Sequence, residues 1–361
     1  MKKYVLNILL GAAILASLTQ CKEQAPKSEH PAAPKTVPEK NADFPAVKSI
    51  GSLKATEMVA AVSNAVLPGD NVIYAPAFLF AWEELHHQLG NPFRLVEPCI
   101  ALKQVDEATS YKGSLSKGEY DVLVEPADNE GIRITASFKK ALPFEEILDT
   151  VEQEFLFNGT PVRAFGMPWF NEKIAAKMNI LYYESDEKFM LSITPKDTTQ
   201  EIILAKGFNR AGSLEAILTD IAQARKLGDA QRKMEARRDR YFFDEEDKVM
   251  IPKLRFNLEK TYSDFLNTFI ILKNDTVSIV KAKQSTAFVL DENGTKVESV
   301  AVVEIAAAPA APVMEQDRPA KKPKLLMFNK PFVVLLHKRE IAHPYLMVKV
   351  MNTELMVKSG K

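Results

Sequence analysis

Gln284-Ser-Thr-Ala-Phe-Val-Leu-Asp-Glu-Asn-Gly294-Thr295 and Phe328-Asn-Lys-Pro-Phe332-Val-Val-Leu-Leu-His337 carry the strongest structural signal of this chain. The first segment predicts a strand that ends in an acidic turn at a glycine. The second predicts an apolar strand, and Pro344-Tyr-Leu-Met-Val-Lys-Val-Met-Asn352 predicts another. Between the first two segments lies a long stretch rich in Ala, Val and Pro. The layout is therefore a strand, a tight turn, a long exposed loop and two buried strands.

The rest of the chain, outside its N-terminal region, alternates strands with a few helices. Asn71–Pro76 predicts a short strand, and Ala77–Leu89 predicts a helix that Gly90 ends. Helices are also predicted over residues 52–64, 213–240 and 262–272. Further strands are predicted at residues 120–124, 132–138, 154–157, 162–165, 178–183, 189–194, 248–258 and 278–290. This pattern indicates an α+β fold with many long, mostly antiparallel strands.

Several segments resemble, in the same order along the chain, motifs of the serpin family. They are Asn71-Val-Ile-Tyr-Ala-Pro76, Ala136-Ser-Phe-Lys-Lys-Ala-Leu-Pro-Phe144, Phe189-Met-Leu-Ser-Ile-Thr-Pro195, Ile251-Pro-Lys-Leu-Arg-Phe256, Asp291-Glu-Asn-Gly-Thr295 and Asn329-Lys-Pro-Phe332. The resemblance implies a single serpin-like domain over residues 49–361. It would have mixed large β-sheets, surrounding helices and an exposed reactive loop at about residues 294–328. The connection from Asn91 to Ile132 is less than half as long as in serpins, which indicates a shortened N-terminal half whose structure the sequence leaves open.

The resemblance also implies a function, the inhibition of proteases by loop insertion. In serpins the protease cleaves the exposed loop, and the part before the cut enters a sheet as a new strand. Glu292, Gly294, Thr295 and Val297 match the hinge of that loop. From Thr295 to Ile305, every charged residue falls on one face of the alternation, so only one register buries no charge. The same pattern also suits an ordinary strand, and both interpretations stay open.

Counting along the loop as in serpins places the scissile bond near Ala307 and Ala308, whose small side chains suit an elastase-like or subtilisin-like pocket. Arg318 and the lysines at 321–324 offer a second, trypsin-like option. The expected target is a serine protease, with a cysteine protease as the second choice. The alternative function is a non-inhibitory serpin-fold binding or scaffold protein at the cell surface.

The N-terminal region predicts export. Residues 1–20 combine Lys2 and Lys3 with an apolar run, which is typical of a signal peptide. Cys21 follows directly and resembles the lipidated cysteine of bacterial lipoproteins, with a plain secretory signal as the alternative. Residues 21–48, rich in Pro, Lys, Glu and Ala, predict a flexible tether. We therefore expect a lipoprotein anchored to a membrane and facing the periplasm or the cell surface.

The composition and motifs of the chain limit the classes of partner and ligand that we expect it to bind. The chain has 47 Lys+Arg and 47 Asp+Glu, so it has no net field that would attract nucleic acid. The adjacent His86 and His87 point in different directions on a helix and do not form a metal site. No catalytic motif or cofactor-binding motif is found, and we expect a monomeric protein that is not an enzyme and uses no cofactor or metal.

Overall fold

Within the described residues, β-strands are the main regular elements, 23 strands against five α-helices. The computed structural model describes residues 44–127, 131–273, 275–298 and 323–359. These residues belong to one compact unit, Ala42–Lys361. The predicted boundary between tether and domain at residue 48 stays a prediction, although Lys48 and Ser49 already pair with a strand of this unit.

The strands are numbered in chain order. They are β1 (Lys48–Ser49), β2 (Thr56–Val59), β3 (Ala65–Val66), β4 (Asn71–Tyr74), β5 (Arg94–Val96), β6 (Tyr120–Ala127), β7 (Gly131–Phe138), β8 (Lys140–Pro143), β9 (Asp149–Phe157), β10 (Thr160–Met167), β11 (Met178–Ser185), β12 (Lys188–Ile193), β13 (Gln200–Lys206), β14 (Gly212–Ser213), β15 (Lys248–Pro252), β16 (Leu254–Thr261), β17 (Phe269–Ile271), β18 (Thr276–Ser278), β19 (Lys283–Asp291), β20 (Gly294–Glu298), β21 (Leu325–Met327), β22 (Phe332–Lys338) and β23 (Leu346–Val350). The α-helices are α1 (Ala77–Leu89), α2 (Ile100–Asp106), α3 (Glu172–Ala175), α4 (Leu214–Arg232) and α5 (Glu235–Arg238).

Three larger sheets organise the described residues. Their strand orders are β11-β12-β13-β22-β23-β4-β2, β1-β16-β19-β20-β8 and β21-β15-β10-β9. Each is mixed, because one parallel pair lies at its edge (β2 with β4, β1 with β16, and β21 with β15) and its other ladders are antiparallel. The predicted α+β class with mixed large sheets is therefore confirmed.

The seven-stranded sheet holds the most apolar part of the core. All residues of β13 and β23 are buried, and so are all but the last residue of β22. The strand β13 was not among the predicted strands, although its run Ile202-Ile-Leu-Ala205 has the unbroken apolar character of a strand that is buried on both faces. The two predicted C-terminal strands correspond to β22 and β23.

Helix boundaries follow local sequence signals. The helix α1 spans Ala77–Leu89 as predicted, and Gly90 ends it with a φ of 68°. The Ser213 side chain accepts a hydrogen bond from the backbone N–H of Ala216 and caps α4. The helix predicted up to residue 240 ends earlier, at Arg232, and the short α5 follows it.

Two predicted helices are wrong. Residues 52–64 contain β2, which pairs in parallel with β4, so tertiary pairing overrides the helical spacing of their apolar residues. Residues 262–272 contain only a 3₁₀ turn, Ser263–Phe265, followed by β17. Asn267 lies between them with a φ of 62°, a left-handed conformation that an α-helix cannot contain.

Gly228 allows α4 to lie directly on β11. A Cβ atom at this position would lie 1.9 Å from the carbonyl oxygen of Leu181. We expect Gly228→Ala to lower the free energy of unfolding by about 1–3 kcal/mol, because the helix must move away from the sheet. Urea denaturation would measure this effect. Gly51→Ala is the control, since the nearest atom to its added Cβ is 3.7 Å away; equal stability losses in the two variants would contradict the prediction.

Candidate functional site

The predicted hinge residues lie together at a hairpin between β19 and β20. The backbone N–H of Asn293 donates to the Asp291 carboxylate at 2.9 Å, which closes the turn. The segment after β8 holds the turn from outside, because Phe144 N–H donates to the Asn293 carbonyl and Leu148 N–H donates to the Glu292 carbonyl. The turn is thus fixed on two sides before β20 begins.

Glu292, in the turn of the hairpin, forms an ion pair with Lys253, which lies just before β16. Its carboxylate lies 2.5 Å from the Lys253 ammonium, and the two side chains are 24% and 15% exposed. Burial opposes ionisation of this carboxyl group, but the contact with Lys253 outweighs burial and holds the pKa of Glu292 below its usual value. The sequence indicated Glu292 but not Lys253 as its partner, because the two residues meet only through the pairing of β16 with β19.

Gly294 lets β20 approach β8. Its φ is 138°, and a Cβ atom there would lie 2.4 Å from the Leu142 carbonyl oxygen and 2.7 Å from the Pro143 Cα. Both the conformation and the lack of space require glycine. The glycine of the predicted hinge is therefore the residue at which β20 begins, next to β8.

The strand β20 has neighbours on both sides. It pairs antiparallel with β19, from Asp291 opposite Gly294 to Ala287 opposite Glu298, and also with β8, from Pro143 to Lys140. Thr295 and Val297 are buried at 1% and 2% exposure, and Lys296 is exposed. The predicted alternation is confirmed over residues 295–297, and β8 flanks this strand on the side away from β19.

The exposed loop was predicted at residues 294–328, but strands occupy both ends of this range. Residues 294–298 form β20, where pairing on both sides and apolar packing favour the sheet over solvent. Leu325–Met327 forms β21, paired with β15. Lys324 is 6% exposed and its ammonium lies 2.6 Å from Asp247, which disfavours cleavage by a trypsin-like protease after this residue.

The chain segments on both sides of β20 extend farther than β20 itself, in the direction in which β20 runs toward Glu298. On one side β19 extends back to Lys283, and on the other β7 precedes β8 with only Lys139 between them. Within the described residues, β7 pairs with β6, and no ladder joins it to β19. The helix α1 packs against both β7 and β19. The structure therefore has strand edges in position to extend the β20 ladder.

Polar groups line the inner side of β19 along this extension. Gln284 and Thr286 are 5% and 3% exposed. The Gln284 amide donates to the Ala75 carbonyl at 3.0 Å, and the Tyr262 hydroxyl donates to the Gln284 side-chain oxygen at 2.9 Å. The sequence predicted a strand at Gln284 but not this network, since its partners come from distant parts of the chain.

The other predicted site residues, Ala307, Ala308 and Cys21, lie outside the described residues, and their roles stay predictions. Among the described residues no group of His, Cys, Asp and Glu side chains forms a metal site. In the same part of the chain, no helix is long and apolar enough to cross a membrane.

A second cluster of charges is structural. Glu201 is 1% exposed, and its carboxylate lies 3.0 Å from His337 Nε2 and accepts two hydrogen bonds from Arg225. Burial opposes its ionisation, but His337 and Arg225 lower the pKa of Glu201 to about 2. This cluster joins α4 to one end of the paired strands β13 and β22.

No protein-family model matches the chain, and no curated protein matches it in sequence. Solved structures to which the chain is similar are serpins. A serpin from the trematode Schistosoma haematobium is 12% identical, with a TM-score of 0.35, and the match covers 63% of this chain and 58% of that one.

Two further solved structures give similar sequence identities, TM-scores and coverages. Loop-inserted, cleaved ovalbumin is 9% identical, with a TM-score of 0.37, over 61% of this chain and 55% of that one. Serpin-12 of Manduca sexta is 14% identical, with a TM-score of 0.34, and the match covers 60% of this chain and 54% of that one. The match thus spans less than two thirds of each of these proteins.

The tight contact at Gly294 gives a test of the hairpin. We expect Gly294→Ala to lower the free energy of unfolding by about 2–4 kcal/mol, because a methyl group there meets the backbone of β8. Gly159→Ala is a matched control: Gly159 also has a positive φ, 81°, but no atom lies within 4 Å of an added Cβ. Chemical denaturation of both variants measures the difference, and equal losses would contradict the proposed close approach.

The Glu292 ion pair gives a test by pH. Because the pKa of Glu292 is lowered in the folded protein, its contribution to stability is present above the unfolded value near 4.5 and is lost as the pH falls through the folded value. We expect Lys253→Met to lower stability by about 1–3 kcal/mol at neutral pH, and to reduce the loss of stability below pH 5.

The control for this test is Lys177→Met. Lys177 binds Glu145 at 2.6 Å, but these side chains are 37% and 39% exposed, and such a pair contributes about 0–1 kcal/mol. Melting temperatures between pH 3 and 7 would compare the two variants. The same pH dependence in wild type and Lys253→Met would show that the Lys253–Glu292 pair does not stabilise the fold.

Proposed function

We propose that this chain is a serpin-type protease inhibitor that acts by loop cleavage and strand insertion. The observation that carries the proposal is the position of β20, which lies between β19 and β8 and leads directly toward the edges of β19 and β7. A chain leaving this strand at Glu298 can extend the same ladder without changing its register.

The length of β7 supports this extension. In the register of β20 with β8, Val297 lies opposite Lys140. If that register continued, Ser299 would lie opposite Phe138 and Ala306 opposite Gly131, so the inserted strand would use the whole of β7. Ala306 would thus be the last residue able to pair with β7, and Ala307 follows it directly. This position supports Ala307–Ala308 as the scissile bond.

The proposed reaction begins with attack by the protease serine hydroxyl on the Ala307 carbonyl carbon. An acyl-enzyme forms, and the amine of Ala308 leaves with a proton. Insertion of residues 299–306 then carries the attached protease away from its starting position before water can hydrolyse the ester. Insertion supplies new backbone hydrogen bonds, each contributing about 0.5–1.5 kcal/mol, together with burial of the inward side chains.

We also propose that the protein is exported and held at a membrane through lipidated Cys21. This part of the proposal rests on the sequence of residues 1–21. Incorporation of a labelled fatty acid into the wild type, but not into Cys21→Ser, would support it. A secreted protein without label would instead support the plain signal peptide.

A pair of charge substitutions tests insertion. In the proposed register Ala301 faces inward and Val302 faces outward. We expect Ala301→Arg to convert an inhibitor into a substrate, because the charge would be driven into the core, whereas Val302→Arg keeps inhibition. Thr295→Arg is less informative, because Thr295 is already buried and this change would disturb the uncleaved fold.

The measurement is incubation of the full-length protein with elastase-like and subtilisin-like proteases, followed by denaturing gel electrophoresis. A covalent complex is expected with wild type and Val302→Arg, and clean cleavage with Ala301→Arg. Cleavage of the wild type without a complex across the whole panel would overturn the inhibitory proposal.

The second candidate is a non-inhibitory binding or scaffold protein with the same fold. It is favoured by the pairing of Gly294–Glu298 on both sides, since less new pairing remains to be gained after cleavage. Melting curves before and after limited proteolysis between residues 299 and 322 separate the two. A large rise in melting temperature supports insertion, and an unchanged value supports the second candidate.

A further inference from the structure

Exposed aromatic side chains surround a cleft beside the edge strand β11. The cleft has a volume of about 430 Å³, and its lining includes Phe170, which follows β10, together with Tyr241, Phe242 and Phe243, which lie between α5 and β15. Phe242 is 44% exposed, and Trp169, the neighbour of Phe170 in the chain, is 69% exposed. Because folding usually buries most of the surface of such large rings, this face is a candidate interaction surface.

Each of the two exposed rings has a cation beside it. The Lys248 ammonium lies 4.6 Å from the centroid of the Trp169 ring, and the Arg238 guanidinium lies 5.7 Å from the centroid of the Phe242 ring. An aromatic ring next to a long cationic side chain suits the boundary of a lipid bilayer. There the ring lies among the headgroups and upper acyl chains, and the cation reaches a phosphate.

Two further apolar side chains extend this surface. Met234 is 53% exposed, and its carbonyl accepts a hydrogen bond at 2.9 Å from the N–H of Arg238, the residue that lies over Phe242. Leu325 is 39% exposed and pairs with Lys248, the residue that lies over the tryptophan. We call the whole surface the aromatic-basic face, formed by Trp169, Met234, Arg238, Phe242, Lys248 and Leu325.

The charges around this face favour a partner that carries phosphate. Residues 232–242 contain five cationic side chains and two carboxylates. The acidic run 244–247 follows, but Asp244 and Asp247 in it are bound to Lys324. A phospholipid surface offers phosphates to the cations and acyl chains to the apolar side chains, and its fluid headgroup layer adapts to an open, uneven face.

The proposed anchor would keep a lipid surface within reach. The N-terminal segment joins the domain at Pro45, whose carbonyl accepts a hydrogen bond from the Asn257 side chain at 3.1 Å. Only 23 residues separate Cys21 from Pro45. Such a segment spans at most about 80 Å even when fully extended. A lipidated Cys21 would therefore hold the domain at a high effective concentration above the bilayer.

We propose that the aromatic-basic face docks the domain on the surface of a phospholipid bilayer. Trp169, Phe242 and Met234 enter the boundary between headgroups and acyl chains, and Arg238 and Lys248 bind lipid phosphates. This inference rests on the proposed membrane location of the protein. It is independent of protease inhibition.

The two tryptophans of the chain make this contact measurable. Trp169 is exposed, whereas Trp82 is only 5% exposed, so bromine atoms on lipid acyl chains can quench the docked Trp169 but not the buried Trp82. The full-length protein would be reconstituted into vesicles of phosphatidylcholine and phosphatidylglycerol, with and without brominated acyl chains. We expect its tryptophan emission to fall in the brominated vesicles, and Trp169→Phe to abolish this difference.

Substitutions of the exposed apolar side chains test which surface docks. Phe242→Ser and Met234→Ser should each reduce the quenching of Trp169 by about twofold or more, because membrane binding scales with the apolar area that enters the bilayer. Phe269→Ser is the matched control, since Phe269 is 52% exposed but lies on β17, and it should leave the quenching as in the wild type. Equal quenching in all three variants would overturn the proposal.

A charge variant tests the contact with phosphate. Arg238→Gln/Lys248→Gln should reduce the quenching, and the reduction should be larger in vesicles that contain more phosphatidylglycerol. Lys103→Gln/Lys112→Gln removes the same charge from two exposed positions outside the face and should have no effect. Equal effects of the two double variants would contradict a specific role of the face.

Sedimentation of the vesicles separates a failure of docking from a failure of anchoring. Protein that sediments with the vesicles but shows the same emission with and without bromine would overturn the docking proposal and leave the anchor standing. Protein that does not sediment with the vesicles would overturn the proposed membrane location and the docking that rests on it.

Discussion

The close packing of β20 between β8 and β19 is the constraint on which the rest of the candidate site depends. Paired strands lie about 4.8 Å apart, so a strand with partners on both sides has no freedom to shift sideways. Gly294 makes the approach to β8 sterically possible, and the turn bonds of Asp291 and Asn293 set where the strand starts. The ion pair of Glu292 and the burial of Thr295 both follow from this placement.

The same strand belongs to the core and continues into the segment proposed to be cleaved. Val297, the residue before the last of β20, is packed among core residues. Leu325 begins β21, which belongs to a different sheet. A cut between residues 299 and 322 would therefore leave one arm attached to β20 and the other attached to β21. Because the two arms are attached to different sheets, the arm on β20 could insert while the arm on β21 keeps its position.

The sequence predicted the fold class, the helix α1 and most strands, because those elements depend on short-range periodicity and on Gly or Pro at their ends. Glu292, Gly294, Thr295 and Val297 were predicted as hinge residues from a resemblance, and this role stays a prediction, whereas the alternation gave the buried face correctly over 295–297. The Lys253–Glu292 pair and the Gln284–Tyr262 hydrogen bond depend on strand order, which periodicity does not contain. The wrong helices at 52–64 and 262–272 have the same origin, since pairing of β2 with β4 and a left-handed Asn267 overrode the apolar spacing.

Two independent physical effects select the same register for β20. A shift of one residue would turn Lys296 inward, and burying an unpaired charge costs more than the roughly 0.5–1.5 kcal/mol that each ladder hydrogen bond contributes. The same shift would bring Asn293 or Thr295 to the position opposite Pro143, where a Cβ atom meets the backbone of β8. Electrostatics and sterics therefore exclude the same alternatives. Both effects act at the first residues of β20, so Gly294 and Thr295 already set the register. Any residues that extend the strand would pair in that same register.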